Sequence, residues 1–156
     1  MQKNNIIRAM GTSLTKKKSG NEAQDWVVGS LTSIGEIGAE IDEIDITTLD
    51  SPNGAKEFMS GDIDPGECDI AGYIKKTDDE NTVVKMMALI QAGTTEEWIV
   101  TFPSGAKWEF NAFIKSFKTT EETTDGLIGF SGGLRLSGLP VYTPSSSNSE
   151  SESTGN

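Results

Sequence analysis

Two spacings of acidic residues in this chain could support chemistry. Glu36 and Glu40 form the obvious carboxylate pair, and two carboxyls flanking a bond can act as acid and nucleophile in glycoside hydrolysis. Four residues along one strand put them about 13 Å apart, beyond the roughly 5–9.5 Å that this chemistry uses, and the aromatic residues of a sugar pocket are missing around them. In SGDIDPGECD, the side chains of Asp62, Asp64 and Glu67 are hard oxygen donors suited to calcium. The EF-hand register nevertheless fails, because Gly66 stands at the fifth position and no acid closes a loop at the twelfth. The chain has no histidine and a single cysteine, Cys68, which removes His-containing zinc sites, disulfide frameworks and Ser/His or Cys/His catalysis. Cys68 reads as a small core residue. The glycines of GFSGGLRLSG lack the lysine of a phosphate loop and read as strand bends or close backbone packing. No catalytic residue, metal ligand or cofactor is therefore assigned.

The elements that must carry these residues are short apolar runs rich in β-branched and aromatic side chains, separated by Gly, Pro, Asn and Asp. DWVVGSLTSI reads as a first strand. In GEIGAEI, the residues Ile37, Ala39 and Ile41 share one face, while Glu36, Glu40 and Asp42 share the other. Ile44 and Ile46 have the opposite parity, so a bulge or sharp bend is expected near Asp42 and Glu43. ECDIAGYIKK alternates again, with Cys68, Ile70 and Ile74 opposite Glu67, Asp69 and Tyr73. EEWIVTFPSGAKWEFNAFIKSF predicts a hairpin in which Trp98, Val100 and Phe102 lead into the turn and Trp108, Phe110 and Ala112 lead out. These aromatics read as core, since only Lys107 interleaves with them as a base-stacking platform would require. GLIGFSGGLRLSG closes the set.

One helix is expected in TDDENTVVKMMALIQAG, with Thr77 or Asp78 as N-cap, acids in the first turn, Gly93 as the stop, and Val83, Met86, Met87 and Ile90 toward a sheet. Residues 47–66 read as a long loop of turn formers that carries its own apolar anchor in Phe58 and Met59; loops of such length are commonly functional.

At 156 residues the chain has the length of one domain. Hydrophobic residues make up 35% and 17 glycines add to them, close to the globular norm of roughly 45–50% apolar. The net charge is −11, yet residues 1–20 carry Lys3, Arg8, Lys16, Lys17 and Lys18 and no acid. An acidic body disfavours ordinary DNA binding, which depends on Lys and Arg meeting phosphates. The expected organisation is a flexible basic arm over 1–23, a β domain over 24–142 and a Ser-rich flexible tail over 143–156. The start lacks an apolar signal core and no run approaches roughly 18 apolar residues, so membrane insertion is not expected.

The ordered series IGEIGAEIDEIDITTLDSPNGAKEFMSGDIDPGECDIAGY, WIVTFPSGAKWEFNAFIKSF and IGFSGGLRLSGLPVY resembles the phage major tail protein family, the tail tube subunits of long-tailed bacteriophages. The likeness covers about residues 25–142. It differs from some family members in lacking a following immunoglobulin-like domain within this sequence, so decoration functions do not carry over. The resemblance implies a β-sandwich or open β-barrel of antiparallel strands flanked by one α-helix, and subunits forming hexameric rings that stack into a hollow tube. It implies as partners further copies of the chain and tape measure, tail terminator and distal tail proteins, with assembly in the host cytoplasm and DNA passing through the tube without specific binding.

On that resemblance, Glu36, Glu40 and Asp42 are the expected lumen-facing acids, since a negative wall keeps a duplex mobile where a basic wall would gain affinity at every phosphate. The loop at 47–66, with Leu49, Asp50, Pro52, Lys56, Phe58 and Met59, is the expected inter-ring segment, loose in the free subunit. Arg8, Lys16, Lys17 and Lys18 form the expected basic arm between subunits. Two other readings stand beside this one: the inner tube of a type VI-like secretion machine, and a monomeric carbohydrate-binding β-sandwich.

Overall fold

The computed structural model describes residues 10–20, 22–29, 31–74, 80–120 and 128–145. Among them the chain forms β1 (Ser13–Lys16), β2 (Trp26–Val28), β3 (Leu31–Ile34), β4 (Glu40–Asp45), β5 (Phe58–Asp64), β6 (Glu67–Tyr73), α1 (Glu80–Ala92), β7 (Glu96–Thr101), β8 (Lys107–Thr119) and β9 (Gly129–Thr143). Seven strands make one antiparallel sheet in the order β2-β1-β7-β8-β9-β6-β3, while β4 and β5 pair separately. The two edge strands of the large sheet, β2 and β3, are joined by Gly29 and Ser30 alone. Val28 and Leu31 can thus lie no more than about 11 Å apart, and the sheet must curl until its two edges approach each other without pairing. The result is a nearly closed barrel with one helix, as expected for the open-barrel form.

Alternate residues of each strand fill the inside. Leu14, Trp98, Val100, Cys68 and Leu134 are fully buried, with Val28, Ile70, Phe110 and Phe130 close to it. The expected β7–β8 hairpin forms, with Trp98 opposite Phe110 and Val100 opposite Trp108, and the Trp98 indole N–H donates to the Ala112 carbonyl at 3.2 Å. Phe117 stacks on Phe130 with centroids 5.2 Å apart. The β6 alternation also holds, since Cys68 and Ile70 are buried and Glu67, Asp69 and Tyr73 exposed.

Helix α1 packs against β8 around Met86, which is fully buried. At about 100° per residue, Thr82, Val83, Leu89 and Ile90 fall within about 60° of Met86 and are buried or half-buried. Met87 lies about 100° away and is half exposed, so Leu89 takes the place expected for Met87. The helix ends where Gly93 adopts φ 67 and donates its N–H to the Leu89 carbonyl at 2.9 Å, a left-handed cap that glycine tolerates best. The expected N-caps Thr77 and Asp78 lie outside the described residues.

Three expectations are corrected. DWVVGSLTSI is two strands on opposite edges, because the chain crosses the seam at Gly29. GEIGAEI is not one strand: residues 35–39 are irregular, and β4 begins at Glu40. At Gly35 the chain lies so close to β6 that a Cβ would stand 2.9 Å from the Asp69 nitrogen, and the Gly35 N–H donates to the Asp69 carbonyl at 2.6 Å. This pins the chain before it can continue as a strand. Finally, the arm expected over 1–23 is structured in part. β1 lies between β2 and β7, with Leu14 and Lys16 turned inward; its four residues are too few to show a pattern in sequence. Residues 1–9 and 146–156, from the expected arm and tail, lie outside the described residues.

Lys16 is 3% exposed, and its ammonium meets Glu22 at 3.0 Å and Glu96 at 3.7 Å. The Lys16 hydrogen bond, then the Ser19 N–H, hold the Glu22 carboxyl below the ordinary glutamate range. A depressed carboxyl stabilises the fold above its unfolded pKa and loses that contribution as pH falls through the folded value. Protection of the described amides of Lys18–Asp25, measured against their intrinsic exchange rates at each pH, is therefore expected to fall on acidification before that of β8 and β9. Leu14→Ala is expected to cost about 2–5 kcal/mol in urea unfolding, as for a buried core leucine; a change under about 0.5 kcal/mol would be that of a surface position and would restore the flexible arm.

Candidate assembly surface

The β4–β5 hairpin stands apart from the barrel core. Register pairs Glu40 with Asp64, Ile41 with Ile63, Glu43 with Ser60, Ile44 with Met59 and Asp45 with Phe58. Residues directly opposite share a face, so one face carries Glu40, Asp64 and Asp42 near the barrel and Ile44 with Met59 toward the tip. The other carries Ile41 with Ile63 near the barrel, then Glu43 and Phe58. The expected irregularity occurs at Asp42, but the extra residue belongs to β5, at Gly61–Asp62. Gly61 leaves room there for Ile44, which a Cβ would approach to 3.2 Å.

Both faces are open to solvent. Ile41, Ile44, Ile46, Leu49, Phe58, Met59 and Ile63 are all exposed, and residues 40–64 hold eight carboxylates against the single Lys56. A two-stranded ribbon with apolar residues on both sides is marginal in water by itself. Its base is tied to the barrel by Arg135, whose guanidinium donates to Asp64 at 3.0 Å. That contact also offsets the like charges of Glu40 and Asp64, which would otherwise repel across the ladder. Beside it, Lys115 pairs with Glu67.

The tip, 46–57, is a hydrogen-bonded structure. The Ile46 N–H donates to the Glu57 carbonyl at 2.9 Å, and the Glu57 N–H donates to Thr47 Oγ1 at 2.8 Å. The Thr48 N–H reaches Ser51 Oγ at 2.9 Å, and a short 3-10 turn spans Pro52–Gly54. The expected loop of 47–66 is thus shorter, its second half being strand β5, and its polar side chains supply the bonds that order it.

Of the expected lumen acids, Glu40 and Asp42 share a face of β4, while Glu36 lies in the irregular connection before it; all three are exposed. Leu49, Asp50, Pro52 and Lys56 are exposed at the tip, whereas Phe58 and Met59 begin β5. The basic arm is not brought together as expected. Lys16 is buried in its ion pairs, Lys17 is half-buried, Lys18 is exposed, and Arg8 lies outside the described residues. The unexpected members are Ile41, Ile44, Ile46 and Ile63; Ile41, expected to share a face with Ile37 and Ala39, is exposed on β4. Their split parity is the signal that no single buried face exists. Burial pushes the Cys68 thiol up to about 11, which keeps it protonated and unreactive. No described helix is long and apolar enough to cross a membrane, and no metal-binding cluster occurs among the described residues.

Residues 13–129 match the family model described as the lambda phage tail tube protein. A chain in the virion of a native gene transfer agent particle is similar in structure, with a TM-score of 0.64 and 20% identity over 85% of this chain and 95% of that one. A chain of the SPP1 tail tube aligns with a TM-score of 0.61 and 14% identity over 92% and 84%. One from the sheath-tube complex of an extracellular contractile injection system aligns with a TM-score of 0.63 and 14% identity over 89% and 92%. No curated protein sequence gives a significant match.

The Thr47 hydroxyl and amide hold the Asp45 carboxyl below the ordinary aspartate range. By the same linkage, order at the tip is complete above the unfolded aspartate value and declines as pH falls through the folded one. An NMR titration is expected to show Asp45 moving up toward its ordinary value in Thr47→Ala, part of the depression remaining because the amide is kept. An unchanged Asp45 titration would contradict this account of the tip.

Proposed function

The chain belongs to the lambda phage tail tube protein family, and on that premise we propose that its copies join six to a ring and that the rings stack into the hollow tail tube of a virion, the channel for DNA delivery. The observation that carries this reading is the β4–β5 hairpin, whose apolar residues are exposed on both faces among the described residues. Contacts between unlike surfaces of identical subunits close into rings or continue as filaments, and a tube uses both. In such an assembly each hairpin finds apolar cover on neighbouring copies, and the short edges β2 and β3 meet other strands instead of solvent.

The carboxylates fit the same arrangement. Glu40, Asp42 and Asp64, on the barrel-proximal half of one hairpin face, together with Glu36, are the acids we assign to the bore. They repel phosphate, whereas basic residues there would add affinity at each contact along the tube. Lys17 and Lys18, with Arg8, are the basic positions left to meet an acidic neighbour, Lys16 being committed within its own subunit. Tape measure, terminator and distal tail proteins are the expected partners at the tube's ends and inside it, and assembly is expected in the host cytoplasm. A secretion-tube role shares this ring architecture, and the fold likeness to injection-system chains supports it only at the level of fold. The family match favours the phage tail.

Electron microscopy of the concentrated protein, alone and with tail initiation complexes, is expected to show hollow tubes with sixfold end views. Persistent monomers in both preparations would overturn the reading. Replacing Glu40 and Asp42 with Lys is expected to leave tubes intact while slowing genome delivery at least tenfold; unchanged infectivity would remove these acids from the bore.

A further inference from the structure

A cleft of about 640 Å3 opens at the seam of the barrel, between residues 10–12 ahead of β1, strand β3 and the facing ends of β7 and β8. Its walls are apolar, with Met10, Ile34, Phe102 and Trp108 among them, and no charged side chain lines it. Five consecutive residues, 31–35, take part. Successive residues of a strand point to opposite faces, so the cleft follows the edge of β3 and not one face of it. That edge has no strand beside it among the described residues, since β3 pairs with β6 alone. Unpaired amides and carbonyls on an edge are a template for an added strand. Thr12, also on the wall, has a buried Oγ1 with no hydrogen-bond partner among the described residues. The cleft thus fits an extended segment with one apolar side and a backbone free to pair.

The described chain begins on this cleft, where Met10 and Gly11 both line it. They form a turn in which Gly11 takes φ 97, a conformation glycine adopts without strain, and a Cβ there would come within 3.3 Å of Pro103 Cγ. The turn takes the chain off the line of β1 at the mouth of the cleft. The segment MQKNNIIRA, residues 1–9, precedes it and lies outside the described residues. Ile7 is three residues from Met10, a reach of at most about 11 Å. In an extended segment Ile7 and Ala9 share one side and Arg8 takes the other, which offers the cleft an apolar filling and keeps the cation in solvent. We infer that residues 1–9 run as an added strand along the free edge of β3 in their own subunit, with Ile7 seated against Ile34 and Trp108. A tethered segment docks without the loss of translational freedom that a separate partner incurs, which favours the chain's own terminus over a second copy. The added strand narrows the open seam of the barrel and covers an edge in the free subunit. This cover belongs to the single subunit and does not depend on the tail tube reading.

The test is NMR on the full chain, kept below any concentration at which it assembles. Nuclear Overhauser contacts are expected between the Ile7 methyls and both the Trp108 ring and the Ile34 methyls. Mixed samples of labelled and unlabelled subunits are expected to show these contacts within one chain and none between copies. The amides of β3 that do not bond to β6 are expected to exchange about tenfold or more faster in Ile7→Ser, as loss of an anchored cover allows. Ile6→Ser, on the solvent side, is expected to leave them unchanged, and the amides of β8 and β9 keep their rates in both variants. No contact from residues 1–9 to the cleft, or β3 exchange in Ile7→Ser equal to the original, would overturn the inference. Contacts found only between copies would overturn it as well, by making the occupant a second subunit. An equal effect of Ile6→Ser would contradict the seating of Ile7. Neither measurement reads tube formation, so failure here leaves the tail tube reading in place.

Discussion

The two strands that leave the barrel distribute isoleucine, phenylalanine and methionine over both faces, and among the described residues both faces are exposed. Burial of apolar surface is the main source of stability in water, and a ribbon of two strands cannot supply it to itself. The hairpin persists in the single subunit through a local device, the turn hydrogen bonds at Thr47, Thr48 and Ser51, and through the Arg135 contact at its base. These order the arm without hiding its apolar residues. An arm that is ordered but uncovered is ready to be buried by another molecule.

The barrel holds this arm rigidly. Its curvature follows from the two-residue link between opposite edge strands, and the long β8–β9 pair gives it a stiff wall. Packed between that wall and α1, the core of Trp98, Phe130, Met86 and their neighbours leaves little freedom to the strands that bracket the hairpin. Gly35 clamps one side of the hairpin's base to β6, and Arg135 on β9 holds the other. Charge is distributed unevenly, since carboxylates crowd the hairpin against the single Lys56.

Much of the barrel was legible in the sequence because strand alternation reports burial on one face. Trp98, Val100, Phe110 and Ala112, and likewise Cys68 and Ile70, alternate with polar residues and occupy the inside as their pattern implies. The same rule failed for the hairpin: Ile41 alternates with Glu40 and Asp42 but stands exposed on a ribbon outside the seven-stranded sheet, whereas Ile37, in the irregular stretch before it, packs against the core; alternation cannot tell a core face from one awaiting a partner. β1 was missed because four residues carry almost no periodic signal, and Lys16 resembled a solvated charge because its acids, Glu22 and Glu96, are brought to it only by the fold. Met87 was misplaced by a single helical step. The disruption at Asp42 was visible as a phase change, although sequence could not say which strand holds the extra residue.

Burial of the hairpin by neighbouring copies is the claim on which the account depends, and hydrogen exchange measured by mass spectrometry on free subunits and on assembled tubes addresses it most directly. Amides of 40–45 and 58–64 are expected to exchange at least a hundredfold more slowly in the assembly, while those of the β8–β9 wall change little. Equal exchange of the hairpin in the two states would show that its apolar faces stay in water, and would contradict the account.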